Sequence, residues 1–162
     1  MTSITIPNGV TNIGSNAFNG CKSLKSITIP SSVNSIGTWA FYGCSNLTTV
    51  NYNAINCTSI GSSSAPAFMD CTSLTNVNLG GGVESIPDYA FYVCKALTSI
   101  NIPQSVTNIG RYAFSSCEKL ASVTLSEGVV EIAEYAFFCC SSLMNITIPS
   151  SVISIGNHTF RG

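Results

Sequence analysis

The feature that most constrains this chain is a 23-residue period. Cys21, Cys44, Cys71, Cys94, Cys117 and Cys140 are separated by 23, 27, 23, 23 and 23 residues, and the other apolar positions move with them. One unit reads Leu24-x-x-Ile27-x-Ile29-Pro30-x-x-Val33-x-x-Ile36-Gly37-x-x-Ala40-Phe41-x-x-Cys44. The units are 1–23, 24–46, 47–73, 74–96, 97–119, 120–142 and an incomplete 143–162, about seven repeats in a single array over residues 1–162. Met1 stands in the leading Leu position of the first unit. One unit cannot bury its apolar stripe alone, so units must stack.

The offsets inside a unit suggest its local structure. Ile27 and Ile29 alternate with Ser26 and Thr28, the two-residue period of a strand with one buried face. Pro30 ends the strand, because it has no N–H for a further ladder bond. Ile36-Gly37 is read as a corner in which Gly takes a positive φ. Ala40, Phe41, Cys44 and Leu47 recur at three-to-four spacing, which suits one or two turns of helix. The expected fold is an α/β solenoid wound as a right-handed superhelix. One parallel sheet lines its concave face, and short helices or turns lie on the other side.

The third unit departs from this pattern. It carries four extra residues between Leu47 and Cys71, in a polar, turn-rich stretch from Asn53 to Pro66. The extra length is expected to bulge after the strand, as a tolerated loop or as one that grips a ligand.

The signature I-x-I-P-x-x-V-x-x-I-G-x-x-A-F-x-x-C, seen in the unit that ends at Cys117, resembles the BspA-like leucine-rich repeat family over nearly the whole chain. The resemblance implies a secreted or cell-surface repeat array of the kind associated with adhesion to host cells or extracellular matrix. The matched residues are core positions, so it speaks for the fold more than for a ligand.

Composition narrows the chemistry. Charged residues are 8% of the chain and the net charge is −1, leaving no electrostatic footprint for nucleic acid. No apolar run approaches the ~18–20 residues that span a bilayer, and Thr2-Ser3-Ile4 after Met1 does not read as a signal peptide. The six-Cys ladder admits buried free thiols, disulfides or a soft-metal site. No C-x-x-C pair is present and His158 is the single histidine, so neither metal nor cofactor is expected. Cys57 and Cys139 fall outside the ladder and are expected to be the more exposed thiols. Glu84, Asp88, Glu118, Glu127, Glu131 and Glu134 read as a solvated edge. Gly80-Gly81-Gly82 lacks the Lys and Ser/Thr of a phosphate loop. No enzyme is read here.

Two surfaces remain. The outward strand positions Ser3/Thr5, Ser26/Thr28, Thr49/Asn51, Asn76/Asn78, Ser99/Asn101, Ser122/Thr124 and Asn145/Thr147 are all Ser, Thr or Asn. They are expected to form two ladders on the concave face, either as a ligand surface or as a self-bonded, solubilising one. A second candidate is an aromatic ridge of Trp39, Tyr42, Tyr89, Tyr92, Tyr112, Tyr135 and Phe138, which packs between units or stacks on a sugar. The expected function is a non-enzymatic adhesion or protein-recognition module for a host or matrix protein, with carbohydrate binding or a structural spacer as alternatives. Without polar capping units, end-to-end self-association is also expected.

Overall fold

The computed structural model describes every residue except Met1 and Ser3, and it is a β-solenoid of about 6 turns. The long strands are β2 (Ser26–Ile29), β4 (Thr49–Tyr52), β6 (Asn76–Leu79), β8 (Ser99–Ile102) and β10 (Ser122–Leu125). They form one five-stranded parallel sheet in the order β10-β8-β6-β4-β2. A two-residue strand follows in each turn: β1 (Asn12–Ile13), β3 (Ser35–Ile36), β5 (Ser59–Ile60), β7 (Ser85–Ile86), β9 (Asn108–Ile109), β11 (Glu131–Ile132) and β12 (Ser154–Ile155). These make two further parallel sheets, β1-β3-β5 and β7-β9-β11-β12.

Equivalent residues sit directly over one another. Thr28 pairs with Asn51, Asn51 with Asn78, and Ile36 with both Ile13 and Ile60. Each apolar column of the sequence therefore becomes a continuous rod of core. Leu24, Leu47, Leu74, Leu97 and Leu120 are all 0% exposed. The Phe column from Phe18 to Phe160 stacks with ring centroids 4.9–5.7 Å apart.

The expected helices do not form; among the described residues there is none. The reason lies in the backbone beside the Phe. Two residues before it, Asn16, Trp39, Tyr89, Tyr112, Tyr135 and His158 have φ of 53–59°. Two residues after it, Gly20, Gly43, Asp70, Val93, Ser116 and Cys139 are also left-handed. A right-handed helix cannot continue through such residues. The segment is instead a run of three-residue turns. Ala40 N–H bonds back to Gly37 and Tyr42 N–H to Trp39, while the intervening Phe41 and Gly43 N–H groups donate forward to Ala67 and Met69 of the next unit.

Gly37, Gly110 and Gly156 at the corner do not have positive φ, contrary to the expectation above. They are needed for close approach. A Cβ on Gly110 would lie 2.6 Å from the backbone nitrogen of Asp88 in the preceding turn, and Gly37 and Gly156 meet Ser15 and Glu134 in the same way. The N–H at this corner also bonds to the preceding Ile carbonyl, as in Gly37 to Ile13 and Gly110 to Ile86.

In the fourth unit this corner is Pro87, which has no N–H and carries a ring where five other units have Gly and the sixth has Ala133. The consequence is a dislocation between the third and fourth units. Strands β5 and β7 are unpaired, which splits the short-strand ladder into its two sheets. Among the described residues, no turn amide of the third unit donates to the fourth, whereas Phe18, Phe41, Phe91, Phe114 and Phe137 all donate across their junctions. Strands β4 and β6 still pair along four residues, so the units stay joined through the long-strand sheet.

The insertion divides between two places. One extra residue lies between Tyr52 and Ile60, and three lie between Ile60 and Phe68. Much of it packs inward, with Ala54, Cys57, Ala65 and Pro66 buried. Gly61, at φ 61°, supplies the left-handed turn that Pro66 cannot adopt. At the C-terminal end, Asn145–Ile148 was expected to add a strand to the sheet, but it does not pair and β10 is the last long strand.

Close approach at the corner predicts an asymmetry. Gly110→Ala should destabilise the protein by about 1–3 kcal/mol, because backbone must shift to admit the methyl. Gly14→Ala, where nothing lies within 4 Å, should change stability by less than about 0.5 kcal/mol. Urea unfolding of the two variants checks this, and equal effects would contradict it.

Candidate functional site

The outward residues of the long strands are held by the same alternation that buries their neighbours. Ile27, Val50, Val77, Ile100 and Val123 point into the core. Ser26, Thr28, Asn76, Asn78, Ser99, Asn101, Ser122 and Thr124 are exposed, and Thr49 and Asn51 are half-buried. Asn145 and Thr147 are exposed but lie off the sheet, as does Thr5; Ser3 falls outside the described residues. The strands carry no charged side chain on this face.

The two halves of the face differ. Asn51 Nδ2 donates to Thr28 Oγ1 at 3.2 Å, and Asn78 Nδ2 donates to Asn51 Oδ1 at 2.9 Å. That row is closed on itself, which suits a solubilising ladder. Beyond it, β6 and β8 share only the Asn76–Ser99 pair, and the row is interrupted. Asn101 and Thr124 have no side-chain partner among the described residues. Their amide and hydroxyl groups are free to bond an incoming ligand.

The aromatic ridge is a stack built on left-handed backbone. Tyr89, Tyr112 and Tyr135 lie face to face with centroids 5.2 and 4.7 Å apart and planes within 6°. His158 continues the stack 5.0 Å from Tyr135. Tyr92 and Phe138 meet Tyr89 and Tyr135 edge-on. A bulky residue at positive φ costs about 1–2 kcal/mol, and each aromatic contact returns roughly 0.5–1.5. The rings therefore spend their faces on one another and present edges and hydroxyls outward. Trp39 stands apart from this stack, 39% exposed, and Tyr42 is partly buried beside it.

All eight cysteines are unpaired. Those of the ladder point inward and donate weakly to carbonyls of the preceding unit: Cys44 to Phe18 at 3.1 Å, Cys117 to Phe91 at 3.3 Å and Cys140 to Phe114 at 3.2 Å. Cys57 is not an exposed thiol. It takes the place of Val33 in its column and is 3% exposed, next to Tyr52, whose buried hydroxyl lacks a hydrogen-bond partner. Cys139 is half-buried.

The carboxylates brace neighbouring units rather than facing one another. Glu118 pairs with Lys95 at 2.8 Å, Glu134 with Arg111, and Asp88 accepts the Arg111 N–H at 2.7 Å. Glu127 accepts from Ser150 and Ser151. Sequence reasoning missed the left-handed positions, although turn-prone Gly20, Gly43, Asp70 and Ser116 recur at one of them. It also passed over Met144 and Ile153, which are 87% and 83% exposed.

Burial pushes the Cys94 thiol up to about 12 and the Cys140 thiol up to about 11, from an ordinary 9.0. The folded chain thus keeps protons that the unfolded chain releases above pH 9. Stability should be full below about pH 9 and decline as pH climbs to about 11–12, read as a falling urea midpoint. Near pH 8, iodoacetamide should reach Cys21 and Cys139 well before the six buried thiols. Modification of Cys57 as fast as Cys139 would contradict this burial.

The family model for the BspA type leucine rich repeat region matches in 6 copies, over residues 1–95 and 64–162. A leucine-rich repeat protein from Eubacterium ventriosum is 34% identical, with a TM-score of 0.77 over 98% of this chain and 42% of its own. A leucine-rich cell surface protein from Faecalibacterium prausnitzii is 33% identical, with a TM-score of 0.66 over 96% of this chain and 44% of its own. A leucine-rich repeat protein from T. pallidum is 30% identical, with a TM-score of 0.71 over 94% of this chain and 72% of its own. The chain thus spans less than half the length of the first two. No curated protein matches it. With its repeat signature, its stacked units and these likenesses taken together, the chain belongs to the BspA-type leucine-rich repeat family.

Proposed function

We propose that this chain is a non-enzymatic recognition module of a surface-exposed repeat protein, and that it engages a protein ligand through the Ser/Thr/Asn face of the long-strand sheet. The observation that carries the reading is the uncharged, exposed row beyond Asn78, where Ser99, Asn101, Ser122 and Thr124 are held in register with unsatisfied donors and acceptors. Such a face can bond the backbone or neutral polar side chains of a host-surface or matrix protein without paying to desolvate a charge. It has no Trp, Tyr or Arg to act as an anchor. Affinity per site is therefore weak, and useful adhesion depends on several sites engaging together. A relative described as a cell surface protein supports the extracellular placement.

The glycan alternative draws less support, because the Tyr89, Tyr112 and Tyr135 faces that would stack on sugar rings already stack on one another. A purely structural spacer is the remaining alternative.

A binding screen against immobilised matrix proteins and a glycan panel tests the proposal. The chain should bind a protein, and Asn78→Arg with Asn101→Arg should weaken that binding at least about tenfold, equal to 1.4 kcal/mol. Tyr89→Ala with Tyr112→Ala should leave it within about threefold. The opposite pattern, or silence in the protein panel, would overturn the assignment.

A further inference from the structure

The dislocation at Pro87 is one part of a break that crosses the whole array. On the short-strand side it separates the third and fourth units, and two side-chain links are missing there as well. The Ser32, Ser105 and Ser151 hydroxyls donate at 2.7 Å to the carbonyls of Val10, Val83 and Val129 in the preceding unit, but the fourth unit has Gly82 in that position. Cys44, Cys71, Cys117 and Cys140 donate back to a Phe carbonyl, whereas Cys94 has no such bond among the described residues. On the long-strand side the break moves one unit along. Strands β4 and β6 pair over four residues, but β6 and β8 share only Asn76–Ser99. Thr75 N–H donates to Thr48 and Ala121 N–H to Thr98, yet among the described residues no amide of the fifth unit donates to Thr75.

The fourth unit is thus divided within itself. Its strand β6 is bonded to the third unit, and Gly80 N–H still donates to Tyr52. Its strand β7 is bonded to β9 of the fifth, and Tyr89, Phe91 and Val93 N–H groups donate to Arg111, Ala113 and Ser115. The chain crosses between the two sets at Gly80-Gly81-Gly82. None of these glycines has a positive φ. A Cβ on Gly81 would meet nothing within 4 Å, and one on Gly82 only the Ile55 side chain at 3.6 Å. Ser31-Ser32 and Ser150-Ser151 occupy the same two positions in the second and seventh units. The packed state therefore does not call for glycine at 81 or 82; what glycine adds there is access to other backbone conformations.

The ring contacts across the break are apolar. Phe68 and Phe91 are 5.7 Å apart and tilted by 21°, the widest and most tilted step of the Phe stack, and Tyr52 meets Phe91 edge-on at 6.0 Å. Apolar contact is non-directional and tolerates sliding in a way that a hydrogen-bonded ladder does not. A hollow of about 50 Å³ lies between the two sides, with Asp70, Cys71 and Thr72 on one and Val93 and Lys95 on the other.

We propose that Gly80-Gly81-Gly82 is a hinge, about which residues 4–79 and 83–162 pivot as two rigid blocks. Hinges are a few residues between elements that absorb changes in φ and ψ, and a pivot here breaks no backbone hydrogen bond within either block. The hinge also divides the polar face. Thr28, Asn51 and Asn78, which bond one another, belong to the first block, and Asn101 and Thr124 to the second. Pivoting changes the angle between the two rows.

Spin labels on Cys21 and Cys139, the two half-buried thiols and one in each block, report that angle through pulsed electron spin resonance. The distance distribution of the otherwise unaltered chain should be at least about twofold broader than that of the chain carrying Gly81→Ala and Gly82→Ser, which restrict the pivot. Gly82→Ser alone, which offers a hydroxyl to the Cys57 carbonyl, should narrow the distribution in the same direction. Ser31→Gly with Ser32→Gly places the same flexibility beside strands that are paired on both sides, and should leave the width unchanged. Equal widths in the unaltered and restricted chains, or broadening by the Ser31→Gly/Ser32→Gly pair, would overturn the hinge.

Discussion

Every level of this structure depends on the exchange of backbone hydrogen bonds between successive units. Corner amides donate back to the preceding unit, as Gly37 to Ile13, and turn amides donate forward to the next, as Phe41 to Ala67. Each unit is thereby clamped to both neighbours, and equivalent residues come into register. Columns of Leu, Ile, Phe and Cys then bury one another. A rod so close-packed responds to small changes at its contacts, and the stability of such an array is a sum over junctions rather than over units. Where a junction loses its donor, as at Pro87, two of its three ladders are lost while the long-strand ladder holds.

Much of this was legible in the sequence because it concerns side chains that repeat. The strand alternation at Ile27 and Ile29, the inward Phe and Cys columns, and the outward Ser, Thr and Asn all stand where the period puts them. The turn segment was harder to read. Apolar residues at three-to-four spacing describe a short helix and a succession of tight turns equally well, and only φ separates them. The bulky Tyr89, Tyr112 and Tyr135 gave no hint of left-handed backbone, since nothing in a single side chain reports that its neighbour in the next unit will stack on it. Gly37 and Gly110 were visible as recurrent points of the period, but the reason was close approach to the preceding turn rather than backbone freedom. Cys57 looked exposed because it lay in a polar insertion; counted back three residues from Ile60, it falls in the Val column.

The face proposed as functional was visible residue by residue, but its division was not. Thr28, Asn51 and Asn78 satisfy one another, whereas Asn101 and Thr124 do not. The row stops where β6 and β8 share only the Asn76–Ser99 pair, and beyond it Asn101 and Thr124 stand in register on β8 and β10 without bonding each other.

Forward-donating turn amides hold the units together and fail at one junction, between the third and fourth units. Residue-resolved hydrogen exchange under native conditions tests it most directly. The amides of Phe41, Phe91 and Phe114, each bonded to the next unit, should exchange slowly. Those of Phe68 and Asp70, which face the fourth unit without such a bond, should exchange at least roughly 100-fold faster. Uniform protection of all five amides would show instead that the third and fourth units are joined like the rest.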